Sequence, residues 1–314
     1  MERNKFRMYI FIINVVAGNG RGKRIFKKIQ KSKLYQNITS DYYITEYEGH
    51  AEEIVRFVSN QNLVNLKAII VIGGDGTIYE VMNGLQDPTI PVAFIPGGSG
   101  NDFARGLLIK RDPITILKHI VQNKFKKPYW LGNYWVDGTH RKSFVNSIGF
   151  GFDAEIAKQA NQSWYKKVFN YLHIGTLSYV IALIHVLFRF KPFTVDLEVD
   201  GEVRTINECW MVTIANHAFY GGGMKIIPGA TIQPRRFPVL VIHQISKWKI
   251  LGLFLTVFTG KHIGFKEVDL LEATKIKIST SHNIEYQVDG QTNQCQTCTI
   301  TKNSESVQIM GMDN

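Results

Sequence analysis

The run Ala68–Ile72 leads straight into Gly73-Gly74-Asp75-Gly76-Thr77 and then into a helical pattern. Glycines, which lack a Cβ, let a phosphate approach main-chain N–H groups, and the positive end of a following helix favours the anion. Asp75 is then the carboxylate nearest the phosphates, placed to hold Mg²⁺ directly or through water and so neutralise charge on a transferring group. Thr77 offers a hydroxyl that caps the helix or touches phosphate. Taken alone, such a turn reads equally well as a glycine-rich helix cap. The pattern recurs, however. After the next apolar run, Pro96-Gly97-Gly98-Ser99-Gly100 opens onto Asn101 and Asp102, and after the first run Asn14 to Gly22 is again glycine-rich and opens a cationic helix. Three such loops at one sheet edge describe a phosphate cradle.

The elements that must hold these loops alternate over about the first 110 residues between apolar runs (MYIFIIN, YYIT, AIIVI, VAFI) and helical patterns (Ile25 to Ile29, Ala51 to Val58, Ile78 to Leu85), the signature of βαβ units and a parallel sheet buried on both faces. Right-handed crossovers place the loops that follow the strands along one edge, where open α/β sheets bind ligands. From about Pro128 the character changes to aromatic, alternating segments such as YWLGNYWV, FTVDLEV and ECWMVTIA, punctuated by Asp137-Gly138 and Asp200-Gly201. This half reads as mainly antiparallel sheet, with apolar helical candidates at Lys166 to Phe190 and Lys247 to Phe258. The expected class is α/β: an N-terminal nucleotide-binding parallel-sheet domain over residues 1–128 and a C-terminal, mainly antiparallel β-rich domain over 129–314.

In bulk, 314 residues suit two moderate domains, and 37 Lys and Arg against 26 Asp and Glu leave +11, which favours an anionic partner. No helix-turn-helix, zinc or RNA-stacking motif accompanies that charge, so nucleic acid is set aside. Three cysteines, Cys209, Cys295 and Cys298, are too few and odd for a disulfide framework, and the expected compartment is the cytoplasm. The longest apolar stretch, Ile174 to Phe188, is below the roughly 20 residues that span a bilayer. The opening MERNKFRMYIFIINVV has no small-residue cleavage site and reads as a buried first strand. The nine histidines lack metal-ligand spacing, and His50, His217 and His262 read as structural. Arg21, Lys23, Arg24, Lys27, Lys28, Lys31 and Lys33 form either a solvated helix face or a surface that steers ATP or anionic lipid. Val168 to Phe190, apolar on nearly every helical face, is either a buried core helix or part of a surface meeting acyl chains.

GGDGT after a strand, PGGSGNDFARGL about 20 residues later and the Asn14 to Gly22 loop together resemble the diacylglycerol kinase and lipid kinase family. The resemblance continues through NSIGFGFDAEI, IANHAFYGGGMKIIPGA, Thr259-Gly260-Lys261-His262 and EYQVDGQ, nearly the whole chain. It implies ATP and Mg²⁺ as cofactors, a lipid substrate met in a cleft at an anionic membrane surface, peripheral membrane association, and a C-terminal end that returns to the first domain. The resemblance assigns ATP binding to Asn14, Gly18, Thr45, Gly73, Gly74, Asp75, Gly76, Thr77, Ile78, Tyr79, Ser99 and Asn101, and links Asp75 and Asp102 to the metal. Ser99 stands where the family usually has Thr.

Two departures affect the chemistry. The family's Asp-Gly-Glu, whose Glu is the base for the lipid hydroxyl, is here Asp289-Gly290-Gln291, and an amide cannot accept that proton. After Pro228-Gly229-Ala230 the family's metal-placing Asp-Gly is replaced by Gln233-Pro234-Arg235-Arg236-Phe237-Pro238. Asp75 or Asp289 then stands as the substitute base, in an ATP-dependent kinase that is slow or acts on a lipid other than diacylglycerol. Two alternatives stay open: a nucleotide- and membrane-binding pseudokinase, and a small-molecule kinase like NAD kinase. A homodimer is an open alternative for the assembly.

Overall fold

The computed structural model describes residues 8–61, 65–109, 112–139, 141–162 and 183–312. The chain forms two compact units, Met1–Tyr129 with Glu305–Asn314, and Trp130–Ser304.

In the first unit, strands β1 (Met8–Ile13), β2 (Thr39–Ile44), β3 (Leu66–Gly73) and β4 (Val92–Pro96) run parallel in the order β2-β1-β3-β4. Beyond β4 lie the chain's closing strand, Val307–Met310, parallel to β4, and then β5 (Lys127–Tyr129), antiparallel to it. Residues 10–13 of β1, 68–72 of β3 and 92–95 of β4 are all buried, as unbroken apolar runs must be when helices cover both sheet faces. The edge strand β2 is largely exposed and correspondingly polar. Between the strands lie α1 (Ala17–Gln30), the short α2 (Lys33–Gln36), α3 (His50–Asn60), α4 (Asp75–Gly84), α5 (Asp102–Gly106) and α6 (Pro113–Val121). On α1, Ile25, Phe26 and Ile29 are buried while Lys23, Arg24, Lys27 and Lys28 face solvent. Asp112 caps α6 by accepting from the Ile114 N–H at 3.0 Å, with Pro113 in the first turn where its missing donor costs nothing.

The second unit is a nine-stranded antiparallel sheet built from β6 (Gly132–Val136), β7 (Lys142–Phe144), β8 (Ser147–Gly151), β9 (Phe193–Val199), β10 (Glu202–Ala215), β13 (Phe237–His243), β14 (Val268–Ala273), β15 (Lys275–Val288) and β16 (Gln291–Lys302). Its order is β14-β13-β10-β8-β15-β16-β6-β7, with β9 pairing both β10 and β15. A two-stranded ribbon, β11 (Phe219–Tyr220) and β12 (Met224–Lys225), stands apart from it. Helix α7 (Phe152–Gln162), the helical stretch 183–189 and α8 (Lys247–Val257) pack a joint core containing Phe152, Leu183, Leu187, Trp210, Ile250 and Leu253. Most of the Lys166 to Phe190 segment lies outside the described residues. In its described part Leu183, Val186 and Leu187 are buried, while Ile184, His185, Phe188 and Arg189 are exposed. Among the described residues no helix is long and apolar enough to cross a membrane.

Candidate nucleotide site and the acids of the second unit

The strand order reverses between β1 and β3, so the loops after these two strands leave neighbouring carboxyl ends, the place where open α/β sheets bind ligands. Asn14, at the end of β1, joins them. Its Oδ1 accepts from the Val16 and Ala17 N–H groups at 3.2 and 3.1 Å, while its Nδ2 donates to Thr77 Oγ1 at 3.1 Å. Gly18, Asn19 and Gly20 then take left-handed conformations, with φ of 55°, 54° and 79°, which break the first turn of α1.

The three loops meet main chain to main chain. A Cβ on Gly18 would fall 2.4 Å from Gly97 O, one on Gly22 2.1 Å from Asn14 O, and one on Gly98 2.5 Å from Gly74 Cα. Gly97 and Gly98 both donate their N–H to Gly73 O, at 2.7 and 3.0 Å. Asn101, itself left-handed with φ of 56°, accepts from the Gly98 N–H at 3.0 Å and donates back to Gly98 O at 2.6 Å. No side chain caps α4, which leaves its first N–H groups, those of Asp75 and Gly76, directed at the rim.

Asp75 spans two loops, its Oδ1 accepting from the Phe103 N–H at 2.9 Å. Phe103 is fully buried between Phe94 and Tyr129, at ring distances of 5.4 and 5.2 Å, and this packing fixes that amide. A Cβ on Gly100 would stand 2.8 Å from Asp75 Oδ2 and 4.0 Å from Asp102 Oδ2, so both carboxylates border the same glycine. Asp102 is buried and accepts from Arg105 Nη1 at 2.6 Å, a partner that a cation there would have to share. Among the described residues no three His, Cys, Asp or Glu converge on one point. Mg²⁺ tolerates such a donor set, since it is ordinarily held by one or two carboxylates with phosphate oxygens and water completing the shell.

The remaining expected positions divide by burial. Gly76 and Ser99 are exposed at the rim, and Thr45 is buried at the end of β2, its N–H donating to Ile13 O at 2.9 Å. Ile78 and Tyr79, at 0% and 4% exposure, turn their side chains into the core, so only their main chain is on offer to a ligand.

In the second unit Asp289 follows β15 and is encircled by N–H donors. Its Oδ2 accepts from Val145 at 2.6 Å, and its Oδ1 accepts from Asn146 and Ser147 at 2.7 and 3.1 Å. These three N–H donors occupy both oxygens of the carboxylate. Gln291, at the start of β16, is exposed. The same turn receives Asn216, which donates to Val145 O at 2.7 Å, and Asn216 Oδ1 in turn accepts from Lys302 Nζ at 2.6 Å. Lys302 Nζ lies 4.2 Å from the centre of the Phe237 ring, and burial lowers its pKa to about 7. His217 accepts the Phe219 N–H at Nδ1 and meets Asn146 Oδ1 through Nε2 at 2.9 Å; burial, and then the charge of Lys302, lower it to about 4, so it stays neutral. Beside this network Asp153, in the first turn of α7, is buried against Gly149 of β8, 3.5 Å from Gln287 Nε2, and burial raises it to about 7. Sequence reasoning did not single out Asn146, Asp153, Asn216 or Lys302; only the NSIGFGFDAEI and IANHAF stretches carried a signal for the first three. His262 Nε2 donates to Ile226 O at 2.8 Å in the core, and Cys295 and Cys298 are buried, free thiols in the sheet.

Residues 8–129 match the diacylglycerol kinase catalytic domain, and residues 146–310 match the YegS C-terminal NAD kinase beta sandwich-like domain. The chain is 35% identical over 288 residues to a Bacillus subtilis protein named "Putative lipid kinase YtlR", covering 90% of this chain and 93% of that one. It is 27% identical over 277 residues to the diacylglycerol kinase of Bacillus subtilis, covering 86% of each. Among solved structures, a diacylglycerol kinase of Bacillus anthracis str. Sterne superimposes with a TM-score of 0.69 at 20% identity, covering 98% of both chains.

Proposed function

Because the chain belongs to the bacterial diacylglycerol kinase and lipid kinase family, and is therefore a kinase, we propose that it moves the terminal phosphoryl group of ATP to a hydroxyl group of a lipid at an anionic membrane surface, acting from the cytoplasm. The observation that carries this reading is Asp75, fixed through Phe103 between two glycine loops with its second oxygen directed toward Gly100. In this reading residues 1–129 with 305–314 hold the nucleotide, and residues 130–304 hold the lipid.

The N–H groups at the start of α4 receive phosphate oxygens, and the absence of Cβ atoms in the glycine loops around it lets those oxygens close in. Asn14 and Asn101 brace the loops from within, so the donors are set before the nucleotide arrives. Asp75, with Asp102 beside it, holds Mg²⁺, which when bound neutralises charge developing on the transferred group. Gln291 orients the acceptor hydroxyl by hydrogen bonding and takes no proton. Asp289 acts as a positioning residue for the Val145–Ser147 turn, its oxygens being occupied by three N–H groups.

A second reading, the nucleotide-binding pseudokinase, draws on one observation: neither Gln291 nor the encircled Asp289 supplies a base. General base catalysis is worth about 10²- to 10⁴-fold, so its loss slows phosphoryl transfer without abolishing it when charge neutralisation and positioning dominate. Incubation of the purified protein with labelled ATP, Mg²⁺ and a total lipid extract separates the readings. One labelled lipid, lost in Asp75→Asn, is the expected outcome; ATP binding with no labelled lipid from any extract selects the pseudokinase.

A further inference from the structure

Helix α8 carries no charge from Ile250 to Gly260, yet only half of it is needed by the core. Its inner residues Ile250, Leu253 and Val257 are buried with Leu183, Val186 and Leu187. Its outer face is apolar as well: Trp248 is 73% exposed, Leu255 72% and Phe258 43%. The helical stretch 183–189 extends that face with Phe188, 56% exposed, and Ile184, 45%. Phe188 and Trp248 meet edge to face at 6.1 Å, and Lys247 Nζ donates to Phe188 O at 2.7 Å, so the two segments present one surface. Gly252 lies between Trp248 and Leu255 on the same face, and a Cβ there would touch nothing, which leaves the face level and open.

Cations border the surface: Arg189 and Lys191 beside Phe188, Lys247 and Lys249 at the start of α8, Lys261 and Lys266 beyond its end. Glu267, the acid nearest in sequence, is taken by Lys249 at 2.6 Å. From this combination we infer that the outer face of α8 and the 183–189 stretch form a docking surface for an anionic phospholipid bilayer. Trp248, Leu255, Phe258 and Phe188 enter the boundary between headgroups and acyl chains, and the lysines remain at the phosphates. At 11 residues α8 is about 16 Å long, too short to cross a bilayer and suited to lying in its plane. A second copy of the chain fits the surface worse, because isologous pairing would set these cations against their own duplicates. The inference deepens the reading that the substrate is a lipid, and rests on that reading for its purpose.

The test is co-sedimentation of the full-length protein with vesicles of phosphatidylcholine alone and of phosphatidylcholine mixed with phosphatidylglycerol, without ATP. The expected result is binding to the mixed vesicles, a blue shift of tryptophan fluorescence that is absent in Trp248→Ala, and a loss of affinity of at least about tenfold in Trp248→Glu/Leu255→Glu, whose thermal melt shifts only slightly because both side chains are largely exposed and only the Trp248–Phe188 ring contact is lost. Lys261→Glu/Lys266→Glu weakens binding to the mixed vesicles alone. Unaltered vesicle binding in the Trp248/Leu255 variant overturns the assignment, as does a variant whose only change is from dimer to monomer in analytical ultracentrifugation. Phosphorylation of detergent-dispersed lipid tests the kinase reading separately: it persists in the Trp248/Leu255 variant if only docking is lost, and is absent from the wild type if the kinase reading itself fails.

Discussion

Asp75 and Asp289 are both acids next to glycine at the end of a strand, one in each unit, and they are used in opposite ways. Asp75 gives one oxygen to one N–H and turns the other toward Gly100, while Asp289 gives its two oxygens to three N–H groups. The surroundings differ likewise. Glycine main chain packed on glycine main chain builds the rim around Asp75, whereas Asp289 sits in a network of buried side chains reaching from Asn146 through Asn216 to Lys302. The rim can receive a ligand's charge because the start of α4 has no side-chain cap; a network already satisfied internally holds shape. Substitutions that break this network should therefore cost stability, and those at the rim should cost nucleotide affinity; Asp153, a buried acid outside the network, is the exception in the second unit, where removing the charge should add stability.

The largest stability effect is expected at Asp153. Its pKa is raised by burial to about 7, so between the ordinary carboxylate value of 3.8 and about 7 the folded protein keeps a proton that the unfolded chain has released. Stability from this group falls as pH rises through that window. His217, lowered to about 4, acts in the opposite sense, its stability being gained as pH rises from about 4 to 6.5. Urea melts of Asp153→Asn should show stability rising from pH 4 to 6.5 with His217 and again above about pH 7, where folded Lys302 has released a proton that the unfolded chain keeps, with a gain of up to about 4 kcal/mol over the wild type at pH 8. Parallel pH curves for the two proteins would contradict the assignment of the buried acid.

Asp289→Ala comes next, with a loss of about 3 kcal/mol, since three N–H groups lose an ionised acceptor. A melt unchanged beside collapsed turnover would instead make Asp289 a catalytic base and erase the contrast drawn above. Gly22→Ala sets a Cβ against the Asn14 carbonyl and should cost about 2 kcal/mol, with nucleotide affinity falling further than stability, as calorimetry and melts together would reveal. Thr77→Val removes the acceptor for Asn14 Nδ2 and should cost about 1 kcal/mol while weakening nucleotide binding, a milder version of the same pattern.

How much of this could be read in advance depends on sequence distance. The rim was legible because each loop is a local pattern: an apolar strand, glycines, then a helix start. The parallel sheet followed from unbroken runs at β1, β3 and β4, and the antiparallel half from alternation and Asp-Gly turns such as Asp200-Gly201, which joins β9 to β10. Family resemblance implied only that the C-terminal end returns to the first domain; the position of Val307–Met310 between β4 and β5 was not legible, since four residues carry no pairing information. The Asp289 contacts bridge 142 to 144 residues and Lys302 to Asn216 bridges 86, and no periodicity reports such pairings. Both readings of Val168 to Phe190 stayed open for another reason: a segment apolar on nearly every face does not declare which side is inward, and in its described part Leu183 is buried.

Calorimetric titration of ATP into the protein, with and without Mg²⁺, for the wild type and Asp75→Asn tests the central claim most directly. Asparagine keeps the acceptor for the Phe103 N–H and removes only the charge. The account predicts Mg²⁺-dependent uptake by the wild type and an affinity lower by at least about tenfold in the variant, with an unchanged melt. Equal Mg²⁺-dependent uptake by both proteins would contradict it.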